Sequence, residues 1–143
     1  MTSQQLDFID TTVQKTHRWL HQLKEDLGWT EERRAYEALR AVLQTLRDRL
    51  PVNEAANFAA QMPLLIRGIY FEGWDPANKP LKIRHAADFA DMVLSRIDWD
   101  TGDSDGLDIT RAVFKVLSEH MTPGEIQKVK DNLPEDIRGL FPA

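Results

Sequence analysis

Apolar residues recur at three- and four-residue spacing through most of the chain, the period of helices with one buried face. Ile9, Val13, Thr16, Leu20, Leu23 and Leu27 form one such stripe and predict a first helix over about Gln4–Asp26, with Gly28 as its stop. Ala35, Leu39, Val42, Leu43, Leu46 and Leu50 form a second stripe. Thr30 is expected to cap that helix, Glu31 and Glu32 suit its first turn, and Pro51 ends it. A third helix is expected over about Val52–Gln61 and a fourth from Pro63. Farther on, helices are expected over about Arg84–Ile97, from an Asp105 cap to near His120, from the capping box Thr122-Pro123-Gly124-Glu125, and from Pro134. No alternating run predicts a strand.

The pattern also repeats. Ala41–Tyr70 aligns without a gap on Ala112–Phe141, a constant shift of 71 residues. Identities fall at Ala41/Ala112, Val42/Val113, Leu46/Leu117, Glu54/Glu125, Pro63/Pro134, Ile66/Ile137, Arg67/Arg138 and Gly68/Gly139. Apolar matches between two helices arise easily, but Pro, Arg and Gly in one register do not. The expectation is one all-α domain over residues 1–143, a bundle of two pseudo-repeats of roughly four helices each around a shared core. Pseudo-repeat one covers 4–73, a connector 74–82, and pseudo-repeat two 83–143.

The halves differ where it matters for packing. Leu64 and Leu65 become Glu135 and Asp136, and Ala59-Ala60 becomes Lys130-Asp131. Helices three and four of the first half are apolar on nearly all sides, which predicts full burial, under the second half or under another subunit. Gly68 sits inside an apolar run, at about 1 kcal/mol relative to Ala, and a close helix–helix approach is the expected reason.

Residues 47–76, RDRLPVNEAANFAAQMPLLIRGIYFEGWDP, resemble a bacterial family, domain-of-unknown-function family 2267. So do TVQKTHRWL (12–20), RRAYEALRAVL (33–43) and the closing unit 112–141. The resemblance covers nearly the whole chain. It implies a duplicated all-helical fold and carries no activity or catalytic residue with it.

Composition narrows function by exclusion. The chain has 143 residues and a formal charge of −5, so general binding to nucleic acid or an anionic membrane is not expected. It has no cysteine, which removes disulfides and thiolate metal sites. The acidic N-terminus does not read as a secretory signal, and no apolar run approaches a membrane span, so a soluble cytoplasmic protein is expected.

Arg67 and Arg138 are the repeated charges within apolar ends. Each is suited to grip a carboxylate or phosphate; the plainer reading is an internal ion pair or a bond to helix C-terminal carbonyls. Glu54 and Glu125 are the repeated acids; Glu125 has the capping-box role and Glu54 is freer to pair. Tyr70 and Trp74 with Arg67 would line a pocket at the junction of the halves. Trp29, Trp74 and Trp99 are otherwise read as plugs at helix ends. His17, His21 and Glu25 share a helix face, but no further ligand is apparent, so they are weak metal candidates. Asp98, Asp100, Asp103, Asp105 and Asp108 crowd one loop without the spacing of a calcium hand. Arg33, Arg40 and Arg47 lie beside the second stripe among acids that favour local pairing.

No Ser-His-Asp order, phosphate loop or activated nucleophile is readable. The leading expectation is therefore a non-catalytic protein-interaction or self-association module without a cofactor. The alternative is a ligand-binding protein or enzyme using the junction pocket, and a weaker one is a metal protein.

Overall fold

The computed structural model describes residues 7–102 and 104–143, so the expected helical start at residues 4–6 and the loop residue Asp103 lie outside the described residues. The described chain folds into eight helices and no strand: α1 (Asp7–Leu27), α2 (Glu32–Arg49), α3 (Val52–Ala59), α4 (Leu64–Phe71), α5 (Ala86–Ser95), α6 (Gly106–His120), α7 (Pro123–Asp131) and α8 (Glu135–Arg138).

Helix ends follow local chemistry. Gly28 (φ 69°) and Gly73 (φ 71°) take the left-handed backbone that stops α1 and α4. The side chain of Asp105 accepts from the Asp108 amide, and Thr122 from the Glu125 amide. Thr30 does not cap α2: the cap position is Glu31, which makes no side-chain capping bond and lies 3.4 Å from Arg34. Pro63 and Pro134 stand at the cap positions just outside their helices, in extended backbone that a proline favours.

The loop bonds coincide at the spacing of 71. Leu50 N–H donates to Leu46 and Met121 to Leu117; Ala55 donates to Pro51 and Ile126 to Thr122; Arg67 donates to Pro63 and Arg138 to Pro134. Packing follows the same scheme. α1 packs on α2 as α5 packs on α6, and α1 packs on α6 as α5 packs on α2. Across the middle, α2 meets α6 and α3 meets α7.

The buried centre is α2. Every residue from Ala41 to Asp48 is buried, because α1, α3, α4, α5 and α6 surround this helix. Its polar members are satisfied: Gln44 donates to the Ile69 carbonyl and Thr45 to the Ala41 carbonyl. Around it the core gathers Leu23, Leu39, Leu43, Ile66, Phe89, Phe114, Leu117 and Ile137, each essentially inaccessible. Phe114 and Phe141 stack with centroids 4.0 Å apart, which brings the last residues of the chain onto the core.

Two sequence expectations, burial of α4 under the second half and a close helix approach at Gly68, are not met. α3 is covered by α7, whereas α4 packs mainly on α1 and α2 with its inner face bonded to α3, and its outer residues Leu64 and Leu65 stay 54% and 44% exposed. A methyl group on Gly68 would meet nothing within 4 Å among the described residues, so no close approach of the described helices requires this glycine. The close approach lies instead at Gly106, where an added Cβ would fall 2.6 Å from the Ala90 carbonyl oxygen, at the contact of α5 with α6.

Candidate functional site

α1 carries one apolar stripe with two fates. Its C-terminal half puts Thr16, Trp19, Leu20 and Leu23 into the core. Its N-terminal half continues the stripe past the end of the core, leaving Ile9 and Val13 at 43% and 38% exposure. α4 lies alongside this half, fixed by the Thr12 hydroxyl accepting from the Leu65 amide at 2.9 Å. The result is a groove of about 460 Å³ lined by Ile9, Val13, Leu64, Leu65, Gly68 and Ile69. It runs on toward α2 as a second hollow of about 380 Å³, bounded by Val13, Leu20, Tyr36, Leu65 and Ile69 with His17 and Glu32 at its rim. Among the described residues, the large hydrophobic side chains left exposed are Phe8, Ile9, Val13, Leu64 and Leu65. Four line the groove, and Phe8, 61% exposed, sits one turn from Thr12 on the same side of α1.

The rim is polar and already paired. Arg40 Nε lies 2.7 Å from a Glu72 carboxylate oxygen, tying α2 to the end of α4. His17 Nδ1 lies 2.7 Å from Glu32, and that hydrogen bond holds the Glu32 carboxyl below its ordinary pKa. His17 is thus engaged with a carboxylate. Among the described residues no group of three or more His, Cys, Asp or Glu side chains is arranged to hold a metal ion.

The repeated arginines have parallel contacts. Arg67 donates to the carbonyls of Ala59 (3.1 Å), Ala60 (3.3 Å) and Met62 (3.1 Å), closing the C-terminal end of α3. Arg138 donates to Leu133 at 3.1 Å, the bond equivalent to Arg67–Met62. Tyr70 is fully buried and donates to the Ala55 carbonyl at 2.7 Å; burial pushes its pKa well up, so it remains a donor. Trp74 is half-buried against Phe71, centroids 5.3 Å apart. Arg67 and Tyr70 therefore share one helix and clamp α4 to α3, while Arg138 serves the other half. None of these four lines the α1–α4 groove.

Other charged residues tie the bundle together. Arg47 is buried and bonds Asp48 with two nitrogens while donating to the carbonyls of Tyr70 (2.9 Å) and Glu72 (2.8 Å), where α4 ends. Arg96 reaches the same Asp48 carboxylate at 2.8 Å from the end of α5. Trp29 and Trp99 pack edge to face, 5.3 Å apart, with Arg34 over the Trp99 ring. The loops that each follow a first helix of a half thus plug the same end of the bundle. His120 stacks on Trp19, and its burial pushes its pKa down.

The groove was missed by sequence reasoning in an instructive way. Its signal was present in the exchange of Leu64-Leu65 for Glu135-Asp136 at matched positions. Both pairs are exposed in the fold. The charged pair is the ordinary solution for such a position, and the leucine pair is the departure.

No helix among the described residues is long and apolar enough to cross a membrane. A family model described as "Uncharacterized conserved protein (DUF2267)" matches residues 16–140. No curated protein matches the chain.

Proposed function

The chain belongs to the DUF2267 family, and from that premise we propose that it is a non-catalytic self-association module whose contact surface is the α1–α4 groove. The observation that carries this reading is the leucine pair at 64 and 65, exposed where the second half carries Glu135 and Asp136. Leaving such side chains in water forfeits a large part of the roughly 1.5–3 kcal/mol that burying each would contribute. Among the described residues, nothing covers them.

The occupant is a second copy of the same chain. A twofold contact requires one patch to be complementary to itself. This patch has both parts: a groove of about 460 Å³ and, at its edge, the projecting ring of Phe8. Each subunit's Phe8 enters the other's groove against Leu64, Leu65 and Ile69. The exposed apolar side chains, Phe8, Ile9, Val13, Leu64 and Leu65, are each 38–61% exposed and lie on this one face.

In this reading Arg67, Tyr70 and Trp74 position α4 from behind, and Arg138 is the counterpart of Arg67 in the half that lacks the groove. The test uses the substitutions the chain already tolerates at the matched positions. Leu64→Glu with Leu65→Asp is expected to keep the helical circular dichroism signal and to convert a concentration-dependent dimer into a monomer in sedimentation equilibrium. A wild-type chain that stays monomeric at the highest soluble concentration removes the proposal, as does a double variant that dimerises as well as wild type.

A further inference from the structure

The connector between α4 and α5 builds a second, chemically opposite hollow on another face. It is held to the end of α2 at two places: the Leu81 amide donates to the Asp48 carbonyl at 2.8 Å, and Arg49 Nε donates to the Ile83 carbonyl. These bonds fold residues 78–84 beside Arg49 and enclose an open pocket of about 800 Å³. Its lining is Arg49, Asn78, Lys79, Pro80, Leu81, Lys82 and Arg84, with four cations and no carboxylate.

That composition is out of character for the molecule. The chain has 23 acidic and 18 basic side chains. Among the described residues, ion pairs engage Arg33, Arg34, Arg40, Arg47, Arg96 and Lys115, but none of the four pocket cations. Arg49 is half-buried, and its one side-chain bond, at Nε, leaves both terminal nitrogens available. Burial and the neighbouring Arg84 both push the Arg49 pKa down, so like charges are held close; the carboxylates of Glu135 and Asp136 border a separate hollow on the other side of Arg84. The carbonyl end of α2 attracts cations, but a helix end is worth only about half a negative charge. Four cations exceed that by several charges.

We propose that this pocket binds a ligand through two adjacent phosphate groups. A pair of phosphates carries about three to four negative charges near neutral pH, which four cations match. Arg49, fixed by its bond to the connector, presents its guanidinium edge for two-pronged contact with one phosphate. Lys79, Lys82 and Arg84 supply charge to the other, and the Asn78 amide adds a neutral donor. This site is independent of the α1–α4 groove: no lining residue is shared.

Isothermal titration of the full chain with inorganic pyrophosphate tests the proposal, with orthophosphate as the single-phosphate comparison. Flotation with phosphatidylcholine vesicles containing a bisphosphorylated phosphoinositide asks whether the phosphates belong to a lipid. Saturable binding of one pyrophosphate per chain, tighter than orthophosphate and about tenfold weaker in a Lys82→Gln, Arg84→Gln variant, is the expected result. Both substituted side chains are exposed, so the variant retains the fold, and Lys115→Gln on a different face should bind as wild type. Vesicle binding that depends on Lys82 and Arg84, without pyrophosphate binding, supports the same chemistry and assigns it to a lipid headgroup. Binding to neither probe overturns the proposal, and so does binding that the double variant retains in full.

Discussion

Arg47 and Asp48 are consecutive residues that form a buried two-pronged ion pair, with Nε 2.8 Å from Oδ1 and a terminal nitrogen 3.1 Å from Oδ2. Burial alone would raise the pKa of Asp48. The bonds from Arg47 and Arg96 outweigh it and hold the carboxyl below its ordinary value. Asp48→Asn leaves a buried guanidinium without its counter-charge, at an expected cost of about 3–5 kcal/mol in urea denaturation.

The same pair sets a direction for acid sensitivity. The folded Asp48 has the lower pKa, so the unfolded chain binds its proton first as pH falls. The stability from this group is complete above the ordinary carboxyl value of about 3.9 and is lost as pH drops through the depressed folded value. Wild type and Asp48→Asn should therefore converge in stability at low pH. A constant difference between them from pH 7 to acid would contradict this assignment.

Arg67 and Arg138 should differ in weight. Arg67→Ala removes three charge-assisted bonds to carbonyls and is expected to cost about 2 kcal/mol, against about 1 kcal/mol for Arg138→Ala. Arg67→Lys keeps the charge without the fork and should recover only part of the loss. Equal costs for the two alanine variants in chemical denaturation would show that the extra bonds of Arg67 carry no weight.

Gly68 and Gly106 should respond in opposite directions. Gly68→Ala places a methyl group in open space on an α-helix and should stabilise the chain by about 0.5–1 kcal/mol. The same methyl lies in the groove and should weaken self-association, so melting at low concentration and dimerisation move oppositely.

Gly106→Ala drives a methyl to 2.6 Å from the Ala90 carbonyl oxygen and 2.9 Å from its Cβ, for an expected loss of about 2 kcal/mol. Adding Ala90→Gly relieves only the side-chain contact. Rescue in thermal melts should therefore be partial, and full recovery would mean that the backbone yields easily here.

Helix number, order and most ends were legible because they follow from local chemistry. The apolar period, Gly28, Gly73, Asp105, Thr122 and the repeated prolines all act within a few residues. The role of Arg67 was legible as one of three alternatives, beside an internal ion pair and a ligand contact, because its carbonyl partners are five to eight residues away. The exposure of α4 was not legible. A two-turn apolar helix does not encode which neighbour covers it, and the short α8 gave no warning that coverage would stop at α3. The cationic pocket was hidden for a different reason. Arg49 and Arg84 stand 35 residues apart and meet only through two bonds to backbone carbonyls, which no residue pattern announces.

The exchange of partners between the halves, α1 on α6 and α5 on α2, has a consequence for dissection. Cutting the chain in the connector yields two fragments, each with a long helix stripped of the neighbour that completes its burial. Neither fragment is expected to be a stable folded unit alone. Mixed together, they have every contact needed to rebuild the bundle, so the chain should behave as a natural split protein whose pieces fold only by finding each other.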